Sequence, residues 1–219
     1  MIRKNLIRLI SELPSDVELV AVSKFHPVER LMEAYRAGQR VFGESRPQEL
    51  AAKVPQMPAD VRWHFIGHLQ TNKLKQVLPY ASLVQSVDSV RLLEAIDRWG
   101  SVNGRVIDVL LELHLGAEDT KQGFPEEEVM AVVEASRWPH VRLRGLMGMA
   151  TNTEDAAVVE ADFARIETLF HRVRRTFPEC AGTFTELSIG MSGDWPLAVR
   201  HGATMVRIGT EIFGPREYF

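Results

Sequence analysis

The stretch "ELVAVSKFHP", Glu18 to Pro27, carries a near-continuous apolar run, Leu19, Val20, Ala21 and Val22, that ends in Ser23 and Lys24. A lysine at the mouth of a buried strand either snorkels its ammonium to solvent or keeps its amine for chemistry. Partial desolvation and nearby positive charge would lower its pKa from the ordinary value of about 10.4. A neutral amine attacks an aldehyde or ketone to form a Schiff base. The chain has six lysines: Lys4, Lys24, Lys53, Lys73, Lys75 and Lys121. Five of them read as helix or loop residues, and Lys24 alone ends an apolar strand.

The end of the chain holds a second kind of chemistry. "SIGMSGDW" sets Gly190, Met191 and Ser192 in a turn, ahead of a helix starting near Asp194 or Trp195. "VRIGTEIFG" ends a strand on Gly209 and Thr210. Glycines let backbone N–H groups approach an anion such as phosphate, and the two hydroxyls add donors. Two ordinary tight turns are the plainer alternative. Arg207 stands two residues before Gly209, so both point to one side of a strand. An inward arginine needs an acceptor: an anionic substrate, a carboxylate such as Glu211, or the ring nitrogen of a cofactor. A guanidinium does not give up its proton. Against a pyridine nitrogen it would leave the ring unprotonated and weaken it as an electron sink.

Two further motifs are polar. "WHFIGHLQTNK" holds His64 and His68, four apart and so on one face of a strand. No third ligand accompanies them, so no metal is expected, and His64 reads as pocket lining. In "FGESRPQE", Glu44 and Glu49 could act as acid or base, Ser45 follows Glu44, and the plainer reading of Glu44 is a salt bridge at a rim. Met147 and Met149 in "GLMGMA" read as core and pocket lining.

These residues recur at the ends of apolar runs of strand length, each followed by a segment of helical period. The runs are ELVAVSK, RVFGES, RWHFIGH, SLVQSVD, RVIDVLLELHLG, VRLRGLMGMA, TELSIG and TMVRIGTEIFG. Eight strands alternating with seven helices imply a parallel sheet with right-handed crossovers. Strands apolar on both faces favour an α/β fold of one domain over 1–219, a closed (β/α)8 TIM barrel. An open doubly wound sheet is the alternative. In such a barrel the site lies at the carboxyl ends of the strands, and the loops after strands seven and eight take the phosphate. No helix is expected after strand eight. The extra N-terminal helix, in which Ile2, Leu6, Leu9, Ile10 and Leu13 recur at helical spacing up to Pro14, would fill that gap.

Composition narrows the class. The 219 residues are 45% hydrophobic and 25% charged, as in ordinary globular proteins. A net charge of -3 offers nucleic acid no global basic field. No apolar segment has the length of a signal peptide or a membrane span, so a cytoplasmic protein is expected. Cys180 is the one cysteine, which rules out an intramolecular disulfide and fits a reducing compartment. No large apolar surface helix stands out, which favours a monomer.

Taken together, "AVSKFHP", "FGESRPQE", "WHFIGHLQTNK", "GLMGMATNT", "LSIGMSGDWPLAV" and "VRIGTEIFGPR" run in order over nearly the whole chain. The set resembles the pyridoxal phosphate homeostasis proteins of the YggS/PROSC type. That resemblance implies a single barrel similar to the N-terminal domain of alanine racemase, with pyridoxal 5'-phosphate bound as a Schiff base. It makes Lys24 the Schiff-base lysine and assigns the phosphate to Met191, Ser192, Gly209 and Thr210. It sets Arg207 against the pyridine nitrogen. Ser45 and His64 are further cofactor-binding candidates, although many members have asparagine where this chain has Ser45, and Gly193 replaces the acidic or polar residue common at that position. The resemblance further implies no established catalysis and no catalytic residues. It suggests a role in holding the cofactor and affecting its supply to other enzymes, apo forms of pyridoxal phosphate enzymes included. Alanine racemase needs a second domain that brings a tyrosine acid/base; this chain runs only to Phe219, straight after the barrel.

The residues leave rival readings. The leading one is a cofactor-binding protein anchored at Lys24. A racemase or decarboxylase using the same cofactor would turn over an amino acid. A Schiff-base aldolase would use the phosphate loops for a sugar phosphate and be colourless. A protein-interaction module would keep its function in Lys24→Ala.

Overall fold

The structure is a computed structural model that describes residues 1–115, 122–135 and 137–215. Gly116, at the end of the fifth apolar run, Lys121 and Arg216 lie outside the described residues. The strands are β1 (Glu18–Val22), β2 (Val41–Glu44), β3 (Arg62–Phe65), β4 (Ala81–Val87), β5 (Ile107–Leu113), β6 (Val141–Gly148), β7 (Glu186–Ser188) and β8 (Met205–Ile208). They pair in parallel in chain order and close through β1 and β8, where Val20 lies opposite Arg207. The closed barrel is the expected fold, and the open sheet is excluded.

Alternation along the strands separates two apolar layers. Leu19 and Ala21 of β1 belong to the large core between barrel and helices. Val20 turns the other way and packs with Val41, Leu83, Leu110, Met147 and Met205 in a separate cluster within the barrel. This double burial is why the strands read as unbroken apolar runs rather than alternating ones.

The helices are α1 (Ile2–Glu12), α2 (Val28–Arg36), α3 (Pro47–Lys53), α4 (Leu74–Val77), α5 (Val90–Asn103), α6 (Glu126–Ala135), α7 (Ala156–Thr176), α8 (Trp195–Arg200) and α9 (Thr210–Phe213). Helix α5 starts where the Ser89 hydroxyl accepts the Leu92 N–H and stops at left-handed Gly104. Helix α4 is a single turn after a 3-10 turn over Thr71–Lys73, shorter than the sequence suggests. Among the described residues no helix is long and apolar enough to cross a membrane.

One expectation needs correction. A helix does follow strand eight, the one-turn α9. Helix α1 packs beside it and beside α2, burying Ile2, Leu6 and Leu9. Burying each such side chain stabilises by about 1.5–3 kcal/mol. Asn5 Nδ2 donates to the Ile212 carbonyl at 3.1 Å, and Arg8 pairs with Glu211 at 2.8 Å. The N-terminal helix therefore completes the outer ring by bracing α9 rather than by replacing it.

Candidate functional site

The barrel opens at the carboxyl ends of its strands onto a cavity of about 250 Å³. Lys24, Ser45, Met191, Ser192, Arg207, Gly209 and Thr210 all line it, joined by Val22, His26, Ile66, Met147, Met149, Gly193 and Gly214. Ligand pockets usually measure ~300–1,000 Å³, so this volume suits one small ring with a substituent. Strand β1 ends at Val22, earlier than its apolar pattern suggests, so Lys24 sits in the turn that follows and is half-buried. Ser45 follows the last residue of β2. A Cβ on Gly67 would lie 2.1 Å from the Ser45 carbonyl oxygen, so only glycine lets the loop after β3 press against Ser45.

The two glycine loops form one wall. Gly190 has φ +91, and a Cβ there would lie 2.6 Å from Ala198 Cβ. The chain turns at that point so that Asp194 accepts the Met191 N–H and leads into α8. Among the described residues, the N–H groups of Ser192, Gly193 and Thr210 donate to no protein acceptor. All three residues line the cavity, and Ser192 and Thr210 add hydroxyls. That set fits an anion with several oxygens.

Arg207 forms the floor. It is 4% exposed and donates from Nη1 to the Ser188 carbonyl and hydroxyl, each at 2.7 Å, and from Nη2 to the Gly148 carbonyl at 2.9 Å. Burial lowers its pKa to about 10, against the pull of Glu112 and Asp194. It remains a cation at neutral pH. Its Nε–H has no acceptor among the described residues, which leaves a donor available to a ligand. Glu112, on β5, is almost fully buried, and burial followed by the nearby Asp88 pushes its carboxyl up to about 7. Nothing local in the sequence marks Glu112, because it and Asp108 in "IDVLLEL" look like breaks in an apolar strand.

His64 and Glu44 are placed differently from expectation. His64 is 3% exposed, its Nδ1 lies 2.9 Å from Gln85 Nε2, and it lines a small cavity with Glu18, Arg62, Asp108 and Glu186. Ile66, two residues on, lines the upper cavity instead, so His64 sits one layer too deep. Burial, then Arg62, lowers its pKa to about 3 and keeps it neutral. Gln85 in turn accepts from the Ser188 hydroxyl at 2.7 Å, so His64 reaches the site through Gln85, Ser188 and Arg207. His68 lies beyond the end of β3 and pairs with Asp88 at 3.1 Å. No described group of three or more His, Cys, Asp or Glu side chains could hold a metal. Glu44 is in a salt bridge, but at 0% exposure it lies beneath the rim, paired with Lys53 at 2.8 Å. Lys53 reads in sequence as an ordinary helix-end lysine, and nothing local signals its burial.

Known proteins match the chain over nearly its whole length. The alanine racemase N-terminal domain family matches residues 1–217. The pyridoxal phosphate homeostasis protein of Vibrio alginolyticus is 38% identical over 211 residues, covering 94% of this chain and 89% of that protein. Its counterpart in Schizosaccharomyces pombe is 37% identical over 206 residues, covering 92% and 85%. The solved structure of PipY from Synechococcus elongatus with PLP bound has a TM-score of 0.90 and 40% identity, covering 98% of this chain and 100% of that one. Alanine racemase of Clostridium difficile, at 15% identity and a TM-score of 0.78, shares the fold; the match covers 99% of this chain and 60% of that one. On a strand-by-strand barrel and this degree of identity, the chain belongs to the alanine racemase N-terminal domain family and, within it, to the pyridoxal phosphate homeostasis proteins.

Proposed function

We propose that the chain binds pyridoxal 5'-phosphate in the cavity above the barrel, with Lys24 as its covalent Schiff-base anchor, and holds and supplies the cofactor rather than turning over a substrate. The observation that carries this reading is convergence on one cavity: an amine, two loops with free N–H donors, and a buried guanidinium. Membership of the family supports it. When bound, the cofactor supplies a reactive aldehyde and an electron-withdrawing ring. Lys24 offers the amine. Ser192, Gly193 and Thr210 offer donors to the phosphate, and Ser45 and His26 close the sides. Arg207, pinned by its bonds to Ser188 and Gly148, would offer a donor to the ring nitrogen and would give it no proton. A ring kept unprotonated is a weak electron sink, which favours holding over carbanion chemistry. Apo forms of pyridoxal phosphate enzymes are the natural recipients, and the cytoplasm is where they would meet it.

Equilibrium dialysis with pyridoxal 5'-phosphate tests the reading. Wild type should retain one equivalent, and Lys24→Ala should lose at least about tenfold in affinity for want of the covalent bond. Amino acids added to the loaded protein should racemise or decarboxylate no faster than with free cofactor. Turnover clearly above that background would make the chain an enzyme, and equal retention by Lys24→Ala would remove the anchor.

A further inference from the structure

Beside the cavity lies a buried charged cluster that the proposed function does not use. Lys53, at the end of α3, is 7% exposed, and its ammonium has three acceptors. These are Glu44 Oε1 at 2.8 Å, Glu49 Oε2 at 2.9 Å and the Ser23 carbonyl at 3.0 Å. Glu49 Oε2 also accepts the Phe25 N–H at 2.8 Å, and Glu44 Oε1 accepts the Ser23 hydroxyl at 2.6 Å. The carbonyl before Lys24 and the N–H after it are thus both held by one cluster.

The turn that results is not a relaxed one. Phe25 has φ +67, the single non-glycine residue at positive φ among those described. Such a conformation is unfavourable for a residue with a side chain and persists only where the surroundings over-determine it. Here the Glu49 bond fixes the Phe25 N–H, Arg46 stacks 4.3 Å from its ring centroid, and the His26 N–H closes onto the Ser23 carbonyl at 3.1 Å. The cluster carries a cost of its own, because Glu44 Oε2 is buried with no hydrogen-bond partner among the described residues. A well-packed apolar pair in place of Lys53 and Glu44 would often be as stable or more so. Two unfavourable features at one turn point to function rather than stability.

Resting on the cofactor reading above, we propose that Lys53, with Glu44 and Glu49, is a positioning device for Lys24, setting the backbone turn from which the anchoring amine meets the aldehyde. Neither Lys53 nor the two glutamates line the cavity. They act through Ser23 and Phe25. The bond at stake is the C=N between Lys24 Nζ and the aldehyde carbon, formed with release of one water. Displacing a reacting group by about 1 Å can cost about 100-fold.

The test compares two ligands on wild type, Lys53→Met and Glu49→Ala. Pyridoxal 5'-phosphate can form the covalent bond. Pyridoxine 5'-phosphate carries the same ring and phosphate with an alcohol in place of the aldehyde. Both variants should bind pyridoxal 5'-phosphate about 10- to 100-fold more weakly and show less Schiff-base absorbance. Their affinity for pyridoxine 5'-phosphate should match wild type. Equal weakening for both ligands would reduce the cluster to general packing, and no weakening for either would remove the proposal. Should Lys53→Met fail to fold, the partly exposed Glu49→Ala decides alone. If wild type itself forms no bond to pyridoxal 5'-phosphate, the cofactor reading fails instead, so the two failures are distinct.

Discussion

Glu112 shows how one buried side chain can set a pH response. Burial, then Asp88, raises its pKa from 4.5 to about 7. The folded protein therefore holds this proton more tightly than the unfolded chain. Its contribution to stability is complete below about pH 4.5 and is lost as pH rises through about 7. Glu112→Gln removes the titration while keeping the shape of the protonated acid. Near pH 4.5 the variant and wild type should have similar unfolding free energies. At about pH 8 the variant should be more stable, by up to about 3 kcal/mol. Urea unfolding at the two pH values measures this, and a constant difference across both would show that Glu112 is not held protonated. Arg207 feels the same group, since Glu112 supports its charge. Neutral Glu112 leaves Arg207 with less support, so the two groups titrate as a coupled pair.

At the scale of elements, the loop from β7 to α8 carries much of the proposed phosphate site on one glycine. Gly190 stands at φ +91, with Ala198 Cβ and Trp195 Cα where a side chain would go. Gly190→Ala must either strain the backbone or push α8 away. The expected loss is about 2 kcal/mol or more in stability, together with weaker binding of pyridoxine 5'-phosphate, because Ser192 and Gly193 follow directly. Thermal unfolding and a ligand titration on one preparation check both, and an unchanged affinity would detach this loop from the phosphate. The other loop is braced from outside. Helix α1 reaches α9 through Asn5 to Ile212 and Arg8 to Glu211, so the first residues of the chain brace the helix that Thr210 opens.

Over the whole molecule, the barrel was legible because each strand is buried on both faces and each turn is marked by glycine, proline or a polar cap. Lys24 was legible for the same reason, as the one lysine ending such a run. The Ser192 and Thr210 loops could be placed once the fold was assumed, because the seventh and eighth strands end there. His64 lies deeper than its pattern suggests, because a strand pattern gives the face of a residue but not its layer. Lys53 and Glu112 were hidden for another reason. Their burial depends on partners brought by other elements, Glu44 and Ser23 for one and Asp88 and Arg207 for the other. On the proposed reading, all of this architecture presents one amine to one aldehyde. The most direct test of that reading is borohydride reduction of the protein mixed with pyridoxal 5'-phosphate, followed by peptide mass spectrometry. A phosphopyridoxyl mass on Lys24 alone is the predicted result; labelling scattered over other lysines, or none, would contradict it.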